Sequence, residues 1–250
     1  MEETGKNPIQ VAERLFQVIE RLAENGPMGI MDLSAELGFH KSTTHRLVTS
    51  LQYMGYIRQD EESLKYALSL KFLEIGSKIL EQTNMASLIH PSLKKLSEQT
   101  GETVHLVRRE GTEAVYIDKV ESTVSSIRMV SRVGSRIPLY CSGVGKALLA
   151  ELPDPEIEDI WNSSEITPLT PYTVTSLSDL MDRIRGVREA GYAMDDEENE
   201  EGVRCIAVSI PDYHKEPVYA LSISAPVSRM TDARICLLYT SPSPRDRSLS

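Results

Sequence analysis

The chain of 250 residues has only three cysteines, Cys141, Cys205 and Cys236, and they form neither a CxxC pair nor an even set. A disulfide framework is therefore disfavoured, a zinc site reads poorly, and a reducing compartment is expected. No apolar run approaches the roughly 18 residues that a membrane helix needs. The acidic start MEETGKNP also lacks the apolar core of a secretory leader. The expected location is the cytoplasm, with no membrane partner. Excess basic charge is missing too. The 37 acidic and 27 basic residues give a net charge of −10, which argues against broad coating of nucleic acid but leaves room for a local basic face.

Acid is itself absent from HKSTTHRLVTSLQYMGYIRQ, His40 to Gln59. With 37 acids in 250 residues, a given 20-residue window lacks them with a chance of about 4%. The gap therefore takes its meaning only from its surroundings. Ile9, Val11, Ala12, Leu15, Phe16, Val18, Ile19 and Leu22 recur at helical spacing, predicting a helix over Ile9 to Glu24 that Asn25-Gly26-Pro27 ends. A short helix follows around Ile30, Leu33, Ala35 and Leu37, with Asp32 as its expected cap and Gly38 as its stop. A third helix places Leu47, Val48, Leu51 and Met54 on one face, with Lys41, His45, Arg46, Thr49 and Gln52 largely elsewhere. After Gly55, YIRQ, the polar turn DEES and LKYAL read as a β-hairpin. Three helices and a hairpin make a winged helix-turn-helix over residues 1–67.

Composition, at 40% hydrophobic and 26% charged, is that of one large or two ordinary globular domains. Leu70, Leu73, Ile75, Ile79 and Leu80 continue a helical pattern, read as a linker helix over 68–84 that also suits dimerisation. From residue 85 the texture is mixed: a helix through Leu88 to Gln99, then the strand-like runs TVHLVRR, AVYIDKV and SSIRMV. Helices are expected from Gly143 to Leu149 and Ser176 to Ala190, with strands near Tyr192 to Met194, Cys205 to Ile210 and Val218 to Ser224. The expected class is α+β, with an α/β domain over 85–235. Past Ile235 the text CLLYTSPSPRDRSLS has two prolines and no helical period. Its first eleven residues resemble the in-frame translation of a transposon-end sequencing adapter. Residues 236–250 are accordingly set outside the fold, which leaves the second domain expected to lack a C-terminal helix.

In a helix-turn-helix the second helix of the motif enters the major groove near its N-terminus. Here that segment offers Lys41, Ser42, Thr43, Thr44, His45 and Arg46. Arg46 suits a bidentate pair with guanine, while Lys41 and the hydroxyls suit phosphate. Arg58 and Lys65 flank the acidic turn Asp60-Glu61-Glu62 and suit flanking phosphate. The blander alternative is a solvated amphipathic helix in a protein-binding scaffold. A second acid-free run, Ser122 to Ala150, carries Arg128, Arg132, Arg136 and Lys146. Within it IPLYCSGVGK reads as strand, turn and helix N-terminus, where amides near Gly143, Val144 and Gly145 favour an anion and glycine permits close approach.

This is neither a P-loop nor a G-x-S-x-G elbow: Tyr140 stands at the first glycine position of both, Ala147 follows Lys146, and Val144 takes the elbow's last place. A small-molecule hydrolase using Cys141, Ser142 or Cys205 lacks an acid/base constellation, so no catalytic residue is expected. In YALSISAP, Ala220, Ser222 and Ser224 share one face, and Cys205, Ala207 and Ser209 make a similar small-residue face. Such faces serve a ligand or a packed helix equally well. DDEENEEG, Asp195 to Gly202, reads as a solvated acidic loop, or as a metal site if several oxygens converge; its spacing does not favour metal.

KSTTHRLV, the GYI wing entry, PLYCSGVGKALLA, GYAMDDEENEEGVRCIAV and LSISAPVSR together resemble the IclR family of bacterial transcription regulators, over Asn7 to Ile235. TVHL, IRMVSRVGSR and EEGVRCIAV are similar to its KdgR-type members, regulators of 2-keto-3-deoxygluconate metabolism. The resemblance implies a winged helix, a linker helix and a GAF-like effector domain, with homodimers or homotetramers on operator DNA. It implies an effector-responsive repressor of a carbohydrate-acid operon that senses a small carboxylate such as 2-keto-3-deoxygluconate or a related sugar acid, with no cofactor and no catalysis. Carried over by motif, Gly143 and Val144 supply backbone amides, Asp195, Cys205, Ser222 and Ser224 contact the polar ligand, and Met129, Ile137 and Val203 form apolar walls. Arg128, Arg132 and Arg136 would raise the local potential for an anion.

Overall fold

The computed structural model describes residues 8–82, 84–122, 131–211 and 216–240. The chain divides into two compact units, Met1–Gln82 and Thr83–Ser250.

In the first unit, α1 (Gln10–Asn25) buries Val18 and Leu22. Helix α2 (Ile30–Leu37) starts two residues before the predicted cap. Its Leu33 amide already bonds the Gly29 carbonyl at 3.0 Å, so Asp32 lies in the first turn, where its charge suits the helix dipole. Gly38 ends α2 at φ 65°, a left-handed conformation that a side chain would strain. Helix α3 (Lys41–Tyr53) packs Leu47, Val48 and Leu51 against α1 and α2. Met54 does not join them: the helix stops at Tyr53, and Met54, at its cap, is 39% exposed. Strands β1 (Ile57–Gln59) and β2 (Tyr66–Leu68) form the wing, and Tyr66 also bridges to Met28, which closes the core. Helix α4 (Lys71–Gln82) is tied to the end of α3. The Lys71 ammonium donates to the Met54 carbonyl at 2.7 Å and lies 4.3 Å from the Tyr56 ring centre, and the Tyr56 and Phe72 rings are 5.2 Å apart.

The second unit opens with α5 (Asn84–Thr100) and is built on an antiparallel sheet of order β5-β4-β3-β8-β7-β6. Its strands are β3 (Thr103–Glu110), β4 (Glu113–Val120), β5 (Arg136–Pro138), β6 (Ala193–Asp196), β7 (Val203–Ile210) and β8 (Tyr219–Pro226). The helices after β5 are α6 (Gly143–Ala150), α7 (Asp154–Ser163), α8 (Leu177–Ala190) and α9 (Asp232–Thr240). Alternation along the strands sends Val104, Leu106, Ile206 and Ile223 to one face, where they pack with Leu93 of α5 and Ile235 of α9. Ala193, Ala207 and Ala220 point to the other, beneath Ala147, Leu148, Ile157 and Ile184 of α6, α7 and α8. Helices on both faces of one antiparallel sheet, preceded by a winged helix-turn-helix, give the α+β class that the sequence predicts.

Three local expectations are corrected or fall outside the described residues. Helix α9 does not break at Cys236 but runs on to Thr240, with Ile235 and Leu238 one turn apart against the sheet cluster, so this face carries a C-terminal helix. Helix α7 went unpredicted because DPEIEDIWNS carries too thin an apolar stripe; Pro155 near its start and buried Ile157 nevertheless set it. The strand expected at SSIRMV, with Arg128 and Met129, lies outside the described residues, as do residues 241–250.

Glycine has opposite consequences at two helical positions. A Cβ at Gly145 of α6 would lie 2.2 Å from the Leu139 carbonyl oxygen and 2.3 Å from its Cα, whereas at Gly186 of α8 it would meet nothing within 4 Å. In urea titrations Gly145→Ala is expected to lose at least about 3 kcal/mol through backbone displacement. Gly186→Ala is expected to gain about 0.5–1 kcal/mol from helix propensity. Equal midpoints for the two variants would contradict the close approach at Gly145.

Candidate functional site

On the first unit, Lys41, Ser42, His45 and Arg46 are exposed along α3 and Thr43 is half-buried. Thr44 departs from the sequence-based assignment: it is 0% exposed, with its hydroxyl donating to the His40 carbonyl at 3.3 Å, so it packs the helix start instead of facing outward. The Thr49 hydroxyl stands 3.5 Å from His45 Nδ1. Arg58 and Lys65 are exposed on the wing. The wing tip is ordered by Asp60, whose carboxylate accepts the Ser63 amide at 2.8 Å and hydroxyl at 2.7 Å, bonds that hold its pKa below the usual value. The result is a basic, hydroxyl-bearing helix surface beside a hairpin with an acidic tip, suited to phosphate oxygens and base-edge acceptors.

On the second unit, strand register builds a polar row inside the sheet. His105 of β3 pairs with Ser222 of β8, Ser224 with Cys205 of β7, and Cys205 with Asp195 of β6. All but half-buried Cys205 are buried. His105 Nδ1 is 3.4 Å from the Ser222 hydroxyl and 3.3 Å from that of Ser224, and its Nε2 is 2.8 Å from the Ser131 hydroxyl. The ring leans on Tyr116, 5.1 Å away between centres. Burial, aided by the Lys119 charge, lowers the His105 pKa to about 3, so the imidazole is neutral. Sequence reasoning gave His105 and Tyr116 no role; the polar residue inside the apolar alternation of TVHL was the available signal.

Beside this row lies a cavity of about 480 Å³, lined by Tyr116, Ser131, Ser135, Arg136, Ile137, Asn199 and Glu200. That volume is within the usual range for small-ligand sites. Of the predicted apolar walls, Ile137 lines the cavity, Val203 is half-buried at the end of the β6–β7 loop, and Met129 falls outside the described residues. Arg136 reaches the cavity, but its guanidinium is paired with Glu110 and Glu113 and is half exposed, so it brings little free positive charge. Helix α6 is capped by Ser142, whose hydroxyl accepts from the Gly145 amide at 3.1 Å, leaving the Gly143 and Val144 amides outside that bond. The absent side chain of Gly145 is required by the Leu139 backbone, not by ligand approach, which corrects the sequence-based reason for it. Gly143 sits over the sheet, where a Cβ would be 3.5 Å from that of Ala207 and 3.4 Å from the Asp195 amide.

The segment DDEENEEG is not a solvated loop throughout. Asp195 is 4% and Glu198 1% exposed. An Asp195 oxygen accepts the Glu198 amide at 2.8 Å and that of Asn199 at 3.4 Å. Burial raises the Asp195 pKa to about 7 against the opposing effects of the Lys146 ammonium and these amides. Cys141 is fully buried, and burial first, then the negative charges of Asp195 and Glu198, push its thiol up to about 12. Burial likewise raises the pKa of the Cys205 thiol. Neither cysteine carries the thiolate that nucleophilic chemistry needs.

The description "Bacterial transcriptional regulator IclR C-terminal" matches residues 77–240, and "IclR helix-turn-helix domain" matches residues 11–61. The chain is 37% identical over 230 residues to the acetate operon repressor of Salmonella typhimurium, covering 91% of this chain and 84% of that one. It is also 37% identical over 232 residues to the HTH-type transcriptional regulator KdgR of Escherichia coli, covering 92% and 88%. The crystal structure of Thermotoga maritima IclR superposes with a TM-score of 0.77 at 32% identity, covering 93% of each chain.

Asp195 and His105 load the folded state with opposite pH dependences. His105 holds no proton when folded but takes one below about 6.5 when unfolded, so its contribution rises with pH from about 3 to 6.5. Asp195 keeps its proton when folded up to about 7 but loses it above 3.8 when unfolded, so its contribution falls as pH rises across that window. Between about 4 and 6.5 the two slopes offset each other. Unfolding free energies of Asp195→Asn across this window are expected to climb more steeply than wild type, by up to about 1.4 kcal/mol per pH unit. Parallel curves would show that Asp195 is not held protonated.

Proposed function

The chain belongs to the IclR family of bacterial transcriptional regulators, and from that premise we propose that it is an effector-responsive repressor of a carbohydrate-acid catabolic operon, sensing a small carboxylate metabolite. Regulators of this family bind operator DNA and small-molecule effectors and are not enzymes. In this chain Lys41, Ser42, Thr43, His45 and Arg46 would meet the major groove, with Arg58 and Lys65 on flanking phosphate. The effector would sit beside the polar row of Asp195, Cys205, Ser222 and Ser224, with the Gly143 and Val144 amides toward its carboxylate and Ile137, Val203 and Met129 as walls.

The observation that carries this reading is a neutral, hydroxyl-rich interior placed against a cavity of about 480 Å³. A sheet serving only as a core would fill these positions with apolar side chains. Asp195, with its pKa near 7, admits a carboxylate without the full repulsion of a second anion. The resemblance to KdgR-type members through TVHL, IRMVSRVGSR and EEGVRCIAV, beside the 37% identity to KdgR, supports a sugar acid such as 2-keto-3-deoxygluconate. The exposed Leu70, Leu73 and Leu88 support a homodimer or homotetramer, in which a second copy would cover them. The effector shifts operator affinity by binding one conformation of the dimer better than the other.

On a duplex enriched by in vitro selection with the wild-type protein, Arg46→Ala is expected to cost about 1–3 kcal/mol and relax sequence preference. Lys41→Ala is expected to weaken selected and random duplexes alike and to reduce the salt slope by about 1. Unchanged affinity of Arg46→Ala would remove that residue from base reading. In a thermal-shift panel of sugar acids and other small carboxylates, 2-keto-3-deoxygluconate should raise Tm, with a stabilisation that grows as the logarithm of its concentration above Kd. No shift from any sugar acid would sink the assigned effector class.

A further inference from the structure

Lys146 of α6 is 1% exposed, a position that lysine almost never takes without a partner. Its ammonium bonds Glu198, which is also 1% exposed, and among the described residues the second oxygen of Glu198 has no hydrogen-bond partner. Replacing such a buried pair with apolar side chains is often neutral or stabilising, so packing alone gives no reason for it. What the pair joins is informative. Glu198 belongs to the β6–β7 loop and is followed by Asn199 and Glu200, both of which line the cavity. Lys146 stands one turn beyond the Gly143 and Val144 amides.

The loop also needs holding. Glu197, immediately before Glu198, has φ 62°, a left-handed conformation that costs any residue with a side chain and persists where the surroundings impose it. The Thr170 hydroxyl donates to the Glu197 carbonyl at 2.6 Å, and that of Thr173 to the Glu198 carbonyl at 2.7 Å. These bonds and the Asp195 carboxylate secure the loop backbone, whereas the ion pair reaches from the loop to α6. From α8, Arg183 approaches the same Glu198 oxygen at 3.5 Å but is half exposed, so it is a weaker, competing anchor.

We infer that the Lys146–Glu198 ion pair latches the β6–β7 loop onto α6 and thereby sets Asn199 and Glu200 in the effector cavity. Lys146 is then a positioning residue for effector recognition. This inference rests on the effector-cavity assignment made above. Its chemistry is specific to a paired charge, because a directional bond fixes one loop position where an apolar contact permits several.

Lys146→Met and Glu198→Gln each leave one charge buried without its counter-charge and lose stability for that reason alone, so the deciding variant is Lys146→Met/Glu198→Leu, with the shape-preserving Glu198→Gln read only under conditions in which it is folded. The double variant is expected to melt within about 5 °C of wild type. Its Glu198-position and Asn199 amides should exchange with deuterium at least about tenfold faster in the absence of ligand. Its affinity for 2-keto-3-deoxygluconate by calorimetry should be at least about tenfold weaker. Glu198→Gln should move both readouts in the same direction. Wild-type exchange in either folded variant, or wild-type affinity in either, overturns the latch. If wild-type protein binds none of the sugar acids, the proposed effector class fails, and ligand-free exchange alone decides the latch.

Discussion

The second unit depends on how closely α6 lies on the Leu139 backbone that precedes it and on the sheet. Gly145 packs against the Leu139 backbone, where no side chain fits, and Gly143 rests over Ala207 and the Asp195 amide. That contact sets the helix N-terminus beside the polar row of the sheet and carries Lys146 inward to Glu198. The alanines at 193, 207 and 220 are the sheet's side of the same fit. Small residues on a strand face serve here both to admit a helix, at Ala207, and to present hydroxyls, at Ser222 and Ser224.

Buried Glu102, His105 and Asp195 of this domain each have polar partners, whereas the second oxygen of Glu198 has none among the described residues. Glu102, 2% exposed, receives two bonds from Arg229, at 3.1 and 2.7 Å, and a further approach from Arg234 of α9 at 3.4 Å. His105 is satisfied at both ring nitrogens by hydroxyls, and Asp195 by backbone amides. Removing one member of such a set costs more than the bond itself, because its partner stays buried and unpaired. The first unit is organised the other way. Its α3 buries Leu47, Val48 and Leu51 together with one polar residue, Thr44, whose hydroxyl bonds back to the His40 carbonyl, and leaves its charges on the outside.

Periodicity made most of the fold legible. The helical spacing of Val18 and Leu22, the Leu47-Val48-Leu51 face and the turn residues of the wing specify local structure with little outside help. Alternation in YALSISAP placed Ser222 and Ser224 on one face, where the structure has them. What stayed hidden depends on long-range pairing. His105 acquires meaning only when β3 lies beside β8, more than 100 residues later in the chain. Glu198 reads as part of a solvated acidic loop, and Lys146 as one basic residue of an acid-free run, until the fold buries them together. Gly145 resembles a ligand-approach glycine until Leu139 is seen against it. Thr44 shares its segment with exposed groove candidates, yet its helical phase turns it inward.

Lys71 joins the first turn of α4 to the Met54 carbonyl at the cap of α3, and the Tyr56–Phe72 contact stiffens the joint. Twelve helical residues, Lys71 to Gln82, extend about 18 Å from that joint. The assembly has the geometry of a lever arm whose short end is fixed to α3. A sideways movement of about 3 Å at the far end would turn the arm, and α3 joined to it, by about 10°. Mechanical advantage of this kind would let a small rearrangement at Gln82 become a change in the pitch of α3.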